Sequence, residues 1–239
     1  MEAETVVAPH FDDAVFSVAH VLLRTRATIV TVCAGAPAPG VVSDWDAECG
    51  YTEGVAAAAD RAGEDLKANQ ISGATSVHLG LTDAAYRTRF PVRATALDLA
   101  RAMPLEGPLW IPVGIGSHPD HVGSREAVLS LPRVADRLRF YADCPDACAF
   151  GWDARDTDRV ENHRWQPHLD RLSIAYGPML PHTVYLTDEQ MAQKLEMVTA
   201  HASQMRGMLP NFPDLLNPHG PLRREVYWTS ALVTANRPK

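Results

Sequence analysis

The sequence predicts an α/β fold with a Rossmann-like, mainly parallel sheet and helices on both faces. Apolar, strand-like runs alternate with helix-like periods along the chain, which is the pattern of βαβ units. The run Ala27–Cys33 is continuously apolar or β-branched, as expected for a strand that is covered on both sides. Two other runs end in polar turns, and open α/β sheets build their sites at the carboxyl ends of strands.

The elements follow in regular order through the first part of the chain. Strands are predicted at Thr5–Pro9, Ala27–Cys33, Ser76–Leu79, Leu109–Val113 and Arg137–Ala142. Helices are predicted at Asp13–Arg24, Thr52–Gln70, Val92–Met103 and about Asp120–Leu129. The segment 34–51 has no period and contains Gly, Pro and Asp, so we expect a long loop there.

The pattern weakens toward the C-terminus. A strand is predicted at Pro181–Leu186. Thr187 and Gln190 have the spacing of a capping box, which predicts a helix running to about Met205. Glu225–Thr234 alternates loosely between apolar and polar residues, so an edge strand is expected at this position.

The length of the chain, 239 residues, suits a single α/β domain that spans residues 1–239. No linker is long enough to require a second domain. The stretch 143–166 is rich in Asp, Arg and Trp, and we expect it to be a lid or an insertion because long loops in compact domains are often functional.

The composition disfavours several classes of protein. The chain has 22 basic and 29 acidic residues and a net charge of −7, so a nucleic-acid partner is not expected. No apolar run approaches the roughly 18 to 20 residues of a membrane span, and no signal-peptide pattern is present. Four cysteines show no disulfide framework, which favours thiols in a reducing cytoplasm. A metal pair at Cys144 and Cys148 is a minor alternative.

Two polar turns carry residue types that bind metals or move protons. One follows the first predicted strand, and the other follows Leu109–Val113 and its glycines. Their six side chains are His10, Asp12, Asp13, His118, Asp120 and His121. Because the carboxyl ends of parallel strands lie at one edge of the sheet, we predict that the turns meet around one divalent metal, with zinc as the preferred ion.

Zinc hydrolases usually supply three protein ligands and leave an open position for water, whose pKa falls from about 15.7 to about 7. In the first turn, one of Asp12 and Asp13 can be a ligand with His10, and the other can be the base. In the second turn, one of His118 and His121 can complete the ligand set. The other can stabilise the negative charge that develops on the carbonyl.

Asp120 can orient that second histidine and raise its pKa, so that the imidazole stays cationic. Each turn alone also has a simpler explanation, since Asp is a common N-cap and loop histidines are often only solvated. The two turns together are harder to explain in that way. A non-catalytic metal-binding protein remains an alternative.

The motifs resemble those of a known family. Pro9-His10-Phe11-Asp12-Asp13 is similar to the Pro-His-Pro-Asp-Asp signature of the PIG-L (LmbE-like) zinc-dependent N-acetylglucosaminyl deacetylases, and His118-Pro119-Asp120-His121 resembles their second motif. Weaker likeness continues in Arg61-Ala62-Gly63-Glu64, Leu79-Gly80-Leu81-Thr82-Asp83 and His201-Ala202-Ser203-Gln204. The resemblance implies the LmbE-like deacetylase fold and covers most of the chain.

The resemblance also implies a role for each residue of the two turns. His10, Asp13 and His121 would be the zinc ligands, and Asp12 would be the general base. His118 would stabilise the oxyanion or protonate the amine, with Asp120 tuning it. At two other matching positions, Arg61 and Asp83 would contact the sugar, although a solvated charge and a turn-forming Asp are the simpler alternatives.

Trp45 is a further candidate for substrate binding. It lies beside acids in Ser43–Glu48, and exposed Trp often stacks on sugars, although Trp is also a common core residue. The stretch from Phe150 to Trp165 has the same character.

The chain departs from the family pattern at three positions. Phe11 stands where the family usually has Pro, and Ala14 stands where Glu often follows the two Asp. This form is closer to the branch that acts on bulky natural-product glycosides. At the position of Gly116, some relatives have a Tyr that polarises the carbonyl. Glycine has no side chain, so this chain must use another group.

The expected activity is therefore removal of an acyl group, with acetyl as the expected one, from an aminosugar. The substrate would be a small aminosugar or glycoside, and the cofactor one Zn²⁺ per chain, with Fe²⁺ as the alternative in the cell. Assembly into a homo-oligomer is compatible with the sequence. A hydrolase of a non-sugar amide, such as a thiol conjugate, is the alternative activity.

Overall fold

A computed structural model describes residues 4–149 and 165–232, without the side chains of residues 148 and 149. Its centre is a seven-stranded sheet. The strands are β1 Thr5–Ala8, β2 Thr28–Thr31, β3 Thr75–His78, β4 Leu109–Pro112, β5 Leu138–Tyr141, β6 Met179–Tyr185 and β7 Arg224–Ser230. Their order across the sheet is β3-β2-β1-β4-β5-β7-β6. The first five strands in this order are parallel to one another, and β7 is antiparallel to both of its neighbours, β5 and β6.

Nine α-helices lie within the described residues. They are α1 Asp13–Arg24, α2 Asp44–Glu48, α3 Gly54–Ser72, α4 Val92–Ala102, α5 Pro119–Leu129, α6 Asp146–Ala149, α7 Gln166–Tyr176, α8 Asp188–Ala200 and α9 Ala202–Met208. Helices α1, α3 and α8 pack against one another, while α4 packs against α5. Because parallel crossovers are nearly always right-handed, the strand order puts these two groups on opposite faces of the sheet, and the predicted α/β architecture is confirmed.

The order of the strands fixes where a site can form. The chain moves outward from β1 to β3 in one direction and from β4 to β5 in the other, so β1 and β4 are neighbours at the centre. All four residues of β1 and all four of β4 are buried. The crevice beyond the carboxyl ends of such a strand pair is the usual binding place of open α/β sheets.

The predicted parallel strands and the helices between them are present, with ends shifted by at most two residues. The capping box is also confirmed, since Gln190 N–H donates to Thr187 Oγ1 and Thr187 N–H to Gln190 Oε1. The helix that it starts ends earlier than predicted, because His201 leaves helical geometry and separates α8 from α9.

Three other expectations differ from the structure. The last strand is not at an edge, since β7 lies between β5 and β6 and the edge is β6. The predicted loop 34–51 contains the short helix α2, whose N-cap Ser43 accepts a hydrogen bond from Asp46 N–H. Helix α7 was not predicted. The fifteen residues 150–164 of the expected lid lie outside the described residues.

No helix in the described part of the chain is long and apolar enough to cross a membrane.

Candidate metal centre

The first polar turn brings the backbone N–H and the Nδ1 atom of His10 beside one carboxylate oxygen of Asp13. It connects β1 to α1, and Asp13 is the first residue of the helix. The backbone N–H of His10 donates to Asp13 Oδ2 at 2.7 Å, and His10 Nδ1 lies 3.4 Å from the same oxygen. The turn therefore fixes one imidazole nitrogen beside one carboxylate oxygen.

The second turn approaches the same oxygen from β4. It uses left-handed backbone at Gly114, Gly116 and Ser117, with φ values of 81°, 86° and 60°, before α5 begins. His121, in the first turn of α5, places Nε2 3.5 Å from Asp13 Oδ2. The ring centroids of His10 and His121 are 5.3 Å apart.

These three residues fit a divalent metal. Their donor atoms all lie within 4.8 Å of one another. Tetrahedral zinc with bonds of 2.0 to 2.2 Å separates its ligand atoms by about 3.3 to 3.5 Å. The two distances to Asp13 Oδ2, 3.4 and 3.5 Å, already have that length. His10, Asp13 and His121 can therefore hold a divalent metal as a preformed set.

Each of the two imidazoles is held on its far side by a buried carboxylate. His121 Nδ1 lies 2.7 Å from Asp143 Oδ1, and His10 Nε2 lies 3.0 Å from Asp120 Oδ2. Both carboxylates are fully buried. A metal-binding histidine usually donates its other N–H to such a group, which fixes its tautomer and orientation. The pattern directs Nδ1 of His10 and Nε2 of His121 to the metal.

Sequence reasoning missed Asp143, because it was assigned to the expected lid. The residue follows β5, and its Oδ2 also accepts the backbone N–H groups of Gly114 and Ile115 at 2.8 and 3.0 Å. Its position could have indicated a site residue, because Asp143 directly follows a predicted strand, as His10 does.

The expected role of Asp120 has to be corrected. Its carboxylate does not orient the His118 ring; instead it accepts from His10 and from Ala84 N–H at 2.8 Å, and it forms an ion pair with Arg87. The reason is geometric, since α5 begins between the two residues and turns the Asp120 side chain toward the first turn.

His118 is held by its own helix. It is the N-cap of α5, and its Nδ1 accepts the Asp120 backbone N–H at 3.3 Å. Burial, followed by the charges of His10 and His121, lowers the pKa of His118 to about 4. The ring is therefore neutral near pH 7, with its proton on Nε2, and the expectation of a cationic His118 was wrong. A neutral imidazole can still donate from Nε2.

Asp12 lies beside the ligand set but takes no part in it. Its side chain is buried, and Oδ2 has no hydrogen-bond partner among the described residues. Burial, followed by the charge of Asp13, raises the pKa of Asp12. A carboxylate with a raised pKa and an unused oxygen can accept a proton from a nearby group.

The electrostatics of the centre demand positive charge. Burial disfavours a charged His10, but Asp13 and Asp83 outweigh it and raise the pKa of His10 to about 10. Burial would raise the pKa of Asp13, yet His121 and His10 lower it to about 2. In the absence of a metal, a proton on His10 balances part of the carboxylate charge, so a bound cation would replace a proton.

A cavity of about 600 Å³ opens over the centre. Its lining includes every predicted site residue except Asp120, so Trp45, Arg61 and Asp83 lie in the same cavity as the metal ligands. Cavities of several hundred Å³ hold drug-sized ligands. Contact of these three residues with a substrate stays a prediction.

Asp83 reaches the centre through a close backbone contact. Isolated bridges pair Cys33 with Gly80 and Gly35 with Thr82, which brings the segment after β3 beside the end of β2. A Cβ on Gly35 would lie 2.3 Å from the Gly80 oxygen, so only glycine allows this approach. It places Asp83 Oδ2 3.4 Å from His10 Nε2.

Two of the three weaker motifs, Arg61–Glu64 and His201–Gln204, pack against each other at one wall of the cavity. Glu64 accepts from Ser203 N–H and Oγ at 2.8 and 2.6 Å, which caps α9. Trp45 Nε1 donates to Gln204 Oε1 at 3.0 Å. The likeness in these segments therefore corresponds to one packed unit beside the site.

Asp46 was not predicted, yet it organises that wall. It is almost fully buried, and its two oxygens accept from Arg61 Nη2 and the Tyr86 hydroxyl. The Tyr86 oxygen in turn accepts Ser43 N–H at 3.0 Å. No spacing rule predicts these contacts, because they join the short helix α2 and its N-cap to α3 and to a 3-10 turn.

Comparison with known proteins supports the fold. Neither a protein-family model nor a curated protein sequence matches the chain. Among solved structures, the A40926 pseudoaglycone deacetylase Dbv21 is 25% identical with a TM-score of 0.68, covering 95% of this chain and 96% of that one. A triple mutant of the deacetylase of the teicoplanin biosynthetic pathway is 23% identical with a TM-score of 0.72, covering 95% and 97%.

A more distant likeness is to N,N'-diacetylchitobiose deacetylase from Pyrococcus horikoshii. It is 16% identical with a TM-score of 0.55, covering 99% of this chain and 87% of that one. These relatives belong to the LmbE-like (PIG-L) deacetylases. The seven-stranded, mostly parallel sheet of this chain matches the fold of these structures, so the chain has the LmbE-like deacetylase fold.

Proposed function

We propose that the protein is a zinc-dependent N-deacetylase that removes an acetyl group from an aminosugar carried by a natural-product glycoside. One observation carries the proposal. His10 and His121 converge on a single oxygen of Asp13, and Asp12 and His118 remain beside them as groups that can handle protons. Metal binding alone requires neither of the two remaining groups.

A bound zinc ion would act as a Lewis acid and lower the pKa of a coordinated water to about 7. His10, Asp13 and His121 would hold it, with Asp120 and Asp143 fixing the two imidazoles from behind. Three protein ligands leave a position open, as in other catalytic zinc sites.

Asp12 is assigned the general base. Its carboxylate accepts the proton of the attacking water, and its raised pKa makes it a better base than an ordinary aspartate. The proton then passes to the amide nitrogen as the C–N bond breaks. The sugar keeps a free amine, and the acyl group is released as acetate.

His118 is assigned the donor to the carbonyl oxygen. Its Nδ1 is occupied by the Asp120 N–H, so its proton lies on Nε2. His118 lines the cavity 5.1 Å, centroid to centroid, from both His10 and His121. A fixed N–H that faces the carbonyl oxygen stabilises the negative charge that develops there.

Substrate class is inferred from the cavity and the relatives. The two glycopeptide-antibiotic deacetylases named above align over almost the whole chain. The cavity has charged groups at Arg61 and Asp83 and an aromatic surface at Trp45. Charged hydrogen-bonding groups beside an aromatic face suit a sugar ring, so these three residues are assigned to substrate binding.

Zinc is proposed because imidazole and carboxylate suit it, with iron as the alternative in the cell. One relative was crystallised in a form described as the zinc-inhibited form of teicoplanin deacetylase Orf2. Activity should therefore be measured against metal concentration, with zinc, iron and cobalt compared at one equivalent and in excess.

The deciding experiment is acetate release by metal-depleted protein after reconstitution. N-acetylglucosaminyl glycosides with apolar aglycones are compared with free N-acetylglucosamine, acyl amino acids and acylated thiol conjugates. Metal-dependent turnover of the sugars is expected. Preference for the acyl amino acids or thiol conjugates would favour the non-sugar amidohydrolase, and no turnover of any amide would favour a metal-binding protein.

A further inference from the structure

A histidine behind the cavity is buried without a polar partner. His201 is fully buried, and neither ring nitrogen has a hydrogen-bond partner among the described residues. Most buried polar side-chain atoms are paired, and an unpaired one costs about 1 to 3 kcal/mol. A residue that carries such a cost in a packed interior points to a function.

The backbone fixes this side chain at a break between two helices. His201 follows α8, donates its N–H to Val198 O at 3.1 Å, and precedes α9. Its carbonyl accepts Gln204 N–H and Met205 N–H at 3.0 and 3.1 Å, so the first turn of α9 holds it in place. Because the ring is fully buried, it has no solvent partner either.

A second unpaired group lies on the neighbouring helix. Asp12 precedes α1, α1 packs against α8, and Asp12 Oδ2 is buried without a hydrogen-bond partner in the described part of the chain. Burial and Asp13 raise the pKa of Asp12, and His201 is the strongest of the groups that lower it. Asp12 also lines the cavity together with Gln204, which lies in the first turn of α9 after His201, so the segments that carry the two unpaired groups meet at the same cavity.

We propose that His201 is a positioning residue for Asp12, holding Oδ2 through hydrogen bonds across one buried water. The inference rests on the proposed function, because it requires Asp12 to be the base. His201 is not among the described residues that line the cavity, so it acts on Asp12 and not on the substrate. A carboxylate held from behind keeps its other oxygen directed to the cavity and needs no reorientation during the reaction.

The test replaces His201 by Phe and by Gln. Phe removes the unpaired nitrogens and fills the space, so the melting temperature is expected to be unchanged or higher. The kcat is expected to fall on the order of 10- to 100-fold, because a misplaced catalytic group costs about that much. KM and metal content should stay within about twofold of the parent. Gln keeps an N–H donor and should recover part of the lost kcat.

His182→Phe is the matched control. This histidine lies on the edge strand β6, stacked on Tyr227 at 4.7 Å and hydrogen-bonded to Thr229, and it is absent from the described lining of the cavity. Its replacement should leave kcat and KM unchanged.

Two results would overturn the inference while the proposed function stands. One is a His201→Phe variant that is as active as an active parent. The other is a parallel loss of kcat and melting temperature in His201→Phe, with both restored in His201→Gln, which would assign the residue to packing. A parent that releases no acetate from any N-acetylated sugar would overturn the proposed function and this inference together.

Discussion

His121 and Asp143 form a buried pair in which Nδ1 and Oδ1 are 2.7 Å apart. The other oxygen of Asp143 accepts two backbone N–H groups from the turn after β4. One carboxylate thus joins the ends of two neighbouring strands and sets the direction of a metal ligand. Metal affinity is therefore expected to depend on a residue outside the proposed ligand set.

Asp143→Asn is expected to weaken metal binding. An amide cannot accept from His121 and from both backbone groups with the strength of a carboxylate, so the imidazole loses orientation and basicity. Such a loss typically costs 10- to 100-fold in metal affinity. Competition titration with a chromophoric chelator measures the change. Asp136→Asn, at an exposed position, is the control. Equal affinities in both variants would contradict the assigned role.

Asp12→Asn is expected to separate chemistry from binding. The amide keeps the shape of the side chain but cannot accept the proton, so turnover should fall by about two to four orders of magnitude. Metal content should equal that of the parent, since Asp12 is not one of the ligands. Steady-state acetate release and elemental analysis test both statements. Near-normal turnover would show that another group is the base, and loss of metal would show that Asp12 is a ligand.

Metal affinity is expected to increase with pH. The pKa of His10 is raised to about 10 and that of His121 is raised as well, so at pH 7 the metal-free centre holds at least one proton that a metal must displace. Binding should therefore tighten by about tenfold or more per pH unit between pH 6 and 8. Calorimetry in buffers of different ionisation enthalpy counts the released protons. A count of zero would show that the histidines are neutral in the metal-free protein.

Much of the fold and of the metal centre could be predicted from the sequence, because both depend on local patterns. Residues that follow a strand in a parallel sheet must lie at one edge, and that rule brings His10 and His121 together without any knowledge of side-chain packing. The same rule, applied to the fifth strand, would have included Asp143.

The remaining features depend on contacts that no local pattern encodes. The start of α5 directly after His118 turns the Asp120 side chain toward His10. His118 therefore lacks the carboxylate that was expected to keep it cationic, and its Nδ1 accepts a backbone N–H. The alternation of apolar and polar residues in β7 does not predict that this strand lies antiparallel between β5 and β6. The wall around Asp46 joins three segments whose approach is set by packing.

Asp46→Asn is expected to change substrate affinity more than chemistry. The substitution weakens the hold on Arg61 and on the Tyr86 hydroxyl, and hydrogen bonds to charged groups contribute about 1.5 to 3 kcal/mol. KM for a glycoside substrate should rise on the order of tenfold, with a smaller change in kcat. Asp44→Asn, an exposed position in the same helix, should leave both constants unchanged. An unchanged KM in Asp46→Asn would remove Arg61 from the substrate site.

A buried charge cluster lies at the break in α1, the helix that begins at Asp13. Helical geometry fails at Val18, and the freed N–H groups of Ala19 and His20 donate to Glu225 at 2.8 and 3.0 Å. Lys194 Nζ lies 2.6 Å from the same carboxylate, and both charged side chains are buried. Burial would raise the pKa of Glu225, but Lys194 and His20 lower it below its usual 4.5.

Glu225→Gln is therefore expected to destabilise the fold by about 3 to 5 kcal/mol, because it leaves Lys194 as an uncompensated buried charge. Urea unfolding at pH 7 measures the loss, and Glu196→Gln, exposed on the same helix as Lys194, should show none. Because the pKa of Glu225 is lowered on folding, its stabilisation is present above pH about 4.5 and is lost as the pH falls. Adding Lys194→Met to Glu225→Gln should restore part of the stability, since the unpaired charge is then removed. A double variant as unstable as the sum of the two single changes would show that the cluster acts through the backbone capping at Ala19 and His20, and not through charge.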